Sequence, residues 1–125
     1  MPVQKFGKVQ LRIMRVLWEK DRANAREITD ALNKGGEIAH STVQTLLRKL
    51  ERKGAVAHDQ EDRTFIFYPL VEKQEATRAA TREFVDRVFS GSAGGLVSYL
   101  IENEEISKEE LDRIRNLIEE EGQSS

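Results

Sequence analysis

Cysteine is absent from the 125 residues, which removes disulfides, thiolate metal sites and thiol nucleophiles together. No apolar run approaches the ~20 residues of a membrane span, and MPVQKFGKVQ at the start lacks the apolar stretch of a secretory signal. A cytoplasmic location with no membrane partner is therefore expected. Histidine occurs only at positions 40 and 58. With carboxylates alone to complete a coordination sphere, no metal is expected there, and His40 at a helix start and His58 in a strand read as structural or as facing a binding partner. There is no G-x-S-x-G elbow and no glycine-rich phosphate loop. The many Asp and Glu residues fall on solvated helix faces. An enzyme is not expected, nor is a cofactor. Internal repeats and low-complexity tracts are also missing.

What remains is a polar chain, 38% hydrophobic and 34% charged, of a length suited to one domain or a small domain with an appendage. Its net charge of −2 conceals an asymmetry. Residues 1–70 carry 6 Lys and 7 Arg against 9 acids, whereas 71–125 carry 2 Lys and 5 Arg against 13 acids. A basic half joined to an acidic half hints at a polyanion-binding portion and a portion with another task.

Apolar residues over 9–20 recur at helical spacing, with Val9, Ile13, Val16 and Leu17 on one stripe and Leu11, Met14 and Trp18 broadening it. Asn24 followed by Glu27 has the form of a capping box, predicting a second helix over about 25–34 that buries Ile28, Ala31 and Leu32 and stops at Gly35 and Gly36. A third helix spans 40–54, with Val43, Leu46, Leu47 and Leu50 as its buried stripe. Beyond Gly54 the period changes. Residues 55–60 and 64–68 are β-type, with Glu61 and Asp62 as the turn of a two-stranded hairpin and Pro69 limiting the second strand as at a sheet edge. Three helices and a hairpin in this order make a winged helix-turn-helix, mainly α with a small β wing.

The other face of the third helix is the feature that points to a function. Ser41, Thr42, Gln44 and Thr45 offer short or neutral hydrogen-bonding groups suited to base edges, while Arg48, Lys49 and Arg52 offer cations suited to phosphates. The competing reading is a Ser/Thr-capped helix start followed by an ordinary solvated face, to which Lys53 would also belong. The downstream hairpin favours the recognition helix. Arg63, just past the turn, is the candidate wing contact to the DNA backbone. Asp59, Glu61 and Asp62 beside it would be repelled by phosphates.

Residues 72–89 form a long helix with Ala76, Ala80, Phe84, Val88 and Phe89 inward, and 90–95 break it. Leu96, Val97, Leu100 and Ile101 mark a short fifth helix. Ser107 and Glu110 form a second capping box before a sixth helix carrying Leu111, Ile114, Leu117 and Ile118, with Gly122 as its stop and 123–125 fraying. These stripes are too small for a separate monomeric core. The division predicted is a DNA-binding domain at 1–70 and a helical dimerisation region at 71–125. Its interface would use Phe84, Val88 and the apolar residues of the last two helices, in a two-fold homodimer. The alternative is that these helices fold back on the winged helix.

The segments IMRVLWEK at 13–20, STVQTLLRKLERKG at 41–54, FIFYP at 65–69, LVSYL at 96–100 and NEEI at 103–106 together resemble the BlaI/MecI penicillinase-repressor family of bacterial transcription regulators, from about Gly7 to about Glu120. The resemblance implies a homodimeric repressor on a two-fold symmetric operator, controlling β-lactam-resistance or other stress genes. The third helix would enter the major groove, with Ser41, Thr42, Gln44 and Thr45 at bases and Arg48 near the backbone. It also implies relief of repression by a sensor-linked protease cutting within the fifth helix. The Asn-Phe pair found there in staphylococcal-type members is replaced here by Tyr99 and Leu100. The cysteine cluster of copper-responsive relatives has no counterpart. A rival from another class is a winged helix used only for protein–protein interaction, for which the acidic turn and negative net charge speak.

Overall fold

The computed structural model describes residues 6–34 and 36–124. Residues 1–5, Gly35 of the expected helix stop and Ser125 lie outside the described residues. The elements are α1 (Lys8–Lys20), β1 (Ala23–Asn24), α2 (Ala25–Leu32), α3 (His40–Lys53), β2 (Val56–Glu61), β3 (Thr64–Pro69), α4 (Lys73–Val88), α5 (Ala93–Glu102) and α6 (Lys108–Ser124). They divide into two compact units, 1–81 and 82–125.

The first unit is a winged helix. Ile13, Met14 and Leu17 of α1, Ile28 and Leu32 of α2, Val43, Leu47 and Leu50 of α3, and Val56 and Phe67 of the hairpin form one buried core. Each such aliphatic side chain contributes about 1.5–3 kcal/mol by leaving water. Leu46 and Val16, expected inside, sit at the edge of this core. Trp18 donates its indole N–H to the Val71 carbonyl at 2.8 Å, so the chain after the wing is tied back to α1.

Local chemistry fixes the ends of the helices. Asn24 Oδ1 accepts from the Glu27 N–H and Glu27 Oε1 accepts from the Asn24 N–H, both at 2.8 Å, as the capping box requires. The α2 helix closes at Leu32, two residues short of the expectation. Asn33 then bridges to Ile38 in both directions, its Oδ1 accepting from the Ile38 N–H at 2.6 Å, and steers the chain into α3. Gly54 ends α3 at φ 81°, a left-handed stop that suits glycine.

The sheet departs from the sequence reading in three ways. It has three strands in the order β1-β3-β2, because the two residues just before α2 pair with β3, Ala23 with Phe67 and Asn24 with Ile66. The strand that ends at Pro69 is therefore central, not an edge. Proline is tolerated at its final position. The turn residues are Asp62 and Arg63 rather than Glu61 and Asp62, since Glu61 pairs with Thr64. Asp62 takes the positive φ of 58° that such a tight turn needs at its first position.

In the second unit, residues 82–125, the helix ends fall elsewhere than expected. The break after α4 is at 89–92, with Ser90 at φ 50° and Gly91 at φ 86°. Ser92 Oγ then caps α5 by accepting from the Gly95 N–H at 2.9 Å, so Gly94 and Gly95 lie inside the helix instead of before it. Ser107 and Glu110 form the second capping box as anticipated. The α6 helix runs through Gly122 to Ser124, with no stop at the glycine. A glycine in a solvated last turn costs only about 1 kcal/mol. Along α4 the buried residues are Ala76 and Val85, and Phe89 is half-buried. Ala80, Phe84 and Val88, expected inward, are exposed, because Val85 turns in one position ahead of Phe84.

Candidate nucleic-acid interface

The α3 helix starts without a side-chain cap. Its N-cap is Ala39, whose carbonyl accepts from the Thr42 and Val43 N–H groups at 3.0 and 3.2 Å. Ser41 and Thr42 are thus inside the first turn and cap nothing, which removes the reading in which those hydroxyls serve the helix end. Ser41, Thr42, Gln44 and Thr45 are all exposed, as are Arg48, Lys49 and Arg52. The opposite stripe, Val43, Leu47 and Leu50, is at most 1% exposed. The helix therefore cannot rotate to hide its polar face without dismantling the core.

A buried contact sets the position of the helix start. Thr29, 2% exposed, donates its hydroxyl to the Ala25 carbonyl at 2.8 Å, and its oxygen lies 2.8 Å from His40 Nδ1. The single hydroxyl proton is committed to the carbonyl, so the His40 Nδ1–H is the donor of the second bond. This links α2 to the first residue of α3.

The wing stands beside α3 with two chemically different faces. His58, Phe65 and Phe67 share the face toward α3. His58 stacks on Phe65 with ring centroids 4.1 Å apart, and its Nδ1 lies 2.7 Å from Glu51 Oε1 of α3. Asp59 and Glu61 lie on the other face, where Arg22 reaches them at 2.8 and 3.5 Å and lies 5.2 Å from the Tyr68 ring centre. The bond to Asp59 moves the Arg22 guanidinium still further from deprotonation. Two of the three acids set against a DNA-gripping wing thus point away from α3 and carry their own counter-charge. Asp62 stays at the tip beside exposed Arg63.

Between α3 and the wing runs a groove of about 480 Å³, bordered by Arg26, His40, Gln44, Arg48, Arg63 and Phe65. A second depression, floored by Phe67, continues it past Arg52 and His58. The structure brings Gln44, Arg48 and Arg63 onto one groove and Arg52 onto its continuation. Ser41, Thr42, Thr45 and Lys49 lie on the exposed surface of α3 outside both. Arg48 Nη2 also donates to Thr45 Oγ1 at 3.4 Å. Sequence reasoning passed over Arg22, Arg26 and Phe65. The alternation in FIFY put Phe65 and Phe67 on one face, but nothing local tells which of the two is covered.

In the second unit, Leu96, Leu100, Leu111 and Ile114 are half-buried, while Phe84, Val88, Val97, Tyr99, Ile101, Leu117 and Ile118 are 41–66% exposed. Phe89 packs against Phe84 and Tyr99, with ring centroids 5.9 Å apart in each case. Among the described residues no group of His, Asp and Glu is placed to hold a metal ion, and no helix is long and apolar enough to cross a membrane.

The penicillinase repressor family model matches residues 6–120. A penicillinase repressor of Bacillus licheniformis is 27% identical over 118 residues, covering 94% of this chain and 92% of its own. The methicillin resistance regulatory protein MecI of Staphylococcus aureus (strain N315) is 25% identical over 114 residues, covering 91% and 93%. Among solved structures, the DNA-binding domain of the repressor BlaI superposes with a TM-score of 0.53 at 28% identity, over 59% of this chain and 90% of that domain. Monomeric Bacillus licheniformis BlaI in complex with the blaP half-operator gives a TM-score of 0.51 over the same shares, also at 28% identity. RosR of H. salinarum, at 16% identity and a TM-score of 0.52 over 99% of this chain and 100% of that one, shares the fold.

Proposed function

The chain belongs to the penicillinase repressor family, and from that premise we propose that it is a DNA-binding repressor that reads a two-fold symmetric operator as a homodimer. The observation that carries this reading is the exposed polar face of α3, free of any side-chain capping duty, beside a cation-bordered groove. Ser41, Thr42, Gln44 and Thr45 meet base edges in the major groove. Arg48, Lys49, Arg52 and Arg63 meet phosphates. Neutral donors and acceptors carry sequence information, whereas the cations supply affinity without it. The B. licheniformis relative solved with a half-operator supports the assignment.

Residues 1–70 form the reading head and 71–125 the dimerisation region. The exposed large apolar side chains at Phe84, Val88, Val97, Ile101, Leu117 and Ile118 support it, because burying them against a partner would be favourable. Linking two heads raises operator affinity through effective concentration. Cleavage by a sensor-linked protease at Tyr99 and Leu100 in α5 would separate the heads and release β-lactam-resistance or other stress genes.

The test is a salt series on duplex fragments selected from the source genome and on random duplex. Wild-type protein binds both, more tightly to the former, and affinity falls steeply with salt. Arg48→Ala weakens binding to both and flattens the salt slope by about one unit. Gln44→Ala relaxes preference at one base position, at about 1–3 kcal/mol. No binding to random duplex at low salt would sink the reading in favour of a protein-interaction module. Equal losses from both variants on both duplexes would refute the division of labour within α3.

A further inference from the structure

Phe65 is 46% exposed, yet it stands among polar and cationic groups at the junction of the two depressions between α3 and the wing. It is not a loose side chain. His58 stacks on it at 4.1 Å, and His58 is itself held 2.7 Å from Glu51, so the ring is fixed relative to α3. Phe67, two residues on, fills the core at 7% exposure. The fold therefore spends one aromatic of the pair on the core and holds the other at the surface between Arg48 on α3 and Arg63 on the wing tip.

We propose that this crevice seats one sugar–phosphate strand of the duplex, with the Phe65 ring packed against the apolar face of a deoxyribose. The proposal rests on the DNA-binding reading above and deepens it. Arg48 and Arg63 both border the groove, where cations suit the phosphates of a strand, and what lies between two phosphates along a strand is the sugar. Its carbon-bound hydrogens are the apolar surface that an aromatic ring can cover there. Base edges are met by the neutral side chains of α3, so Phe65 adds affinity without reading sequence. Its contribution is also non-electrostatic, which separates it from every arginine around it: burying apolar surface releases no counterions.

The experiment compares wild type, Phe65→Ala, Phe65→Leu and Arg63→Ala on selected and random duplexes across a salt series, with thermal unfolding of each variant. Phe65→Ala is expected to lose roughly tenfold on both duplexes, the order set by returning half an aromatic ring to water, with an unchanged salt slope. Phe65→Leu keeps most of the affinity. Arg63→Ala lowers the slope by about one unit. Replacing thymine by uracil throughout the duplex leaves the Phe65→Ala loss as it was. The proposal is overturned if Phe65→Ala, or Phe65→Leu should the alanine variant unfold, binds as wild type or changes the salt slope. It is equally overturned if the loss is confined to the selected duplex or vanishes with uracil, since either marks a base contact. Wild type failing on random duplex would remove the DNA-binding reading itself, a result that no Phe65 variant can mimic.

Discussion

Replacing Thr29 by Val should loosen the seat of α3 while leaving every exposed side chain of that helix in place. Valine keeps the β-branched shape at a site 2% exposed, so no cavity opens. What is lost is the hydroxyl that bonds both the Ala25 carbonyl and His40 Nδ1, each at 2.8 Å. The carbonyl retains its place in the α2 ladder, so the main cost falls on the half-buried His40 N–H, which is left without its acceptor. An intramolecular hydrogen bond contributes about 1 kcal/mol net, and stranding a buried donor costs about 1–3 kcal/mol. With His40 partly open to water the lower part of that range applies, about 1–2 kcal/mol in all. For a unit of this size each kcal/mol shifts the melting temperature by about 4–8 °C.

His40→Ala should cost less, because the Thr29 hydroxyl still has the Ala25 carbonyl. The double-mutant cycle isolates the bond, with an expected coupling of about 1 kcal/mol from urea unfolding. Nitrogen-15 shifts of the imidazole should show Nδ1 protonated in wild type and lose that preference in Thr29→Val. Operator affinity should fall with Thr29→Val although the residue touches no nucleotide, since α3 is held less firmly before binding. A coupling below about 0.3 kcal/mol, within the scatter of independent sites, would refute the claim that this bond positions α3.

Arg22→Ala should uncover Asp59 and Glu61 on the outer face of the wing and weaken DNA binding by about threefold at ~0.01 M salt, fading above ~0.15 M as screening shortens. It should barely move the melting temperature, because the pair is exposed. Adding Asp59→Asn and Glu61→Gln should restore wild-type affinity, and a loss that persists in that background would place Arg22 on DNA directly. Glu110, held below the usual carboxylate range chiefly by the Ser107 N–H, stabilises the α6 start above about pH 4.5 and loses that effect as the pH falls through its lowered value. Circular dichroism should therefore show more helix lost by wild type than by Glu110→Gln on acidification from neutral pH. Parallel curves would show that this cap carries no such proton linkage.

The parts of this molecule legible in its sequence are those governed by short-range periodicity. The stripes of α1 and α3, both capping boxes and the hairpin were each written within about fifteen residues, and so was the polar face of α3. Features set by partners far along the chain were not. The β1 strand is two residues long, too short to show a period, and exists because β3 offers it an edge more than 40 positions away. Arg22 and Asp59, 37 positions apart, decide how acidic the wing is in effect, and no local pattern announces the pairing. In α4, Phe84 and Val85 are adjacent apolar residues, and only Val85 turns inward, a choice that two neighbouring apolar positions do not announce. Glycines 94, 95 and 122 misled for a related reason: their propensity cost is about 1 kcal/mol each, which a serine cap or a solvated helix end readily outweighs.

The same distinction separates the two halves of the candidate interface. Its chemistry, neutral groups followed by cations along one helix, is a local property and could be read directly. Its geometry is not local. Two contacts hold α3 at opposite ends: Thr29 of α2 to His40 at its start, and Glu51 near its end to His58 of the wing. Each spends one of the chain's only two histidines. Between them lies the groove bordered by Gln44, Arg48, Arg63 and Phe65. If DNA enters that groove as proposed, a change at either histidine should act on binding through the placement of α3 against α2 or the wing, whereas a change at Arg48 should act through charge. The two should separate in a salt series, since only the second alters the number of counterions released.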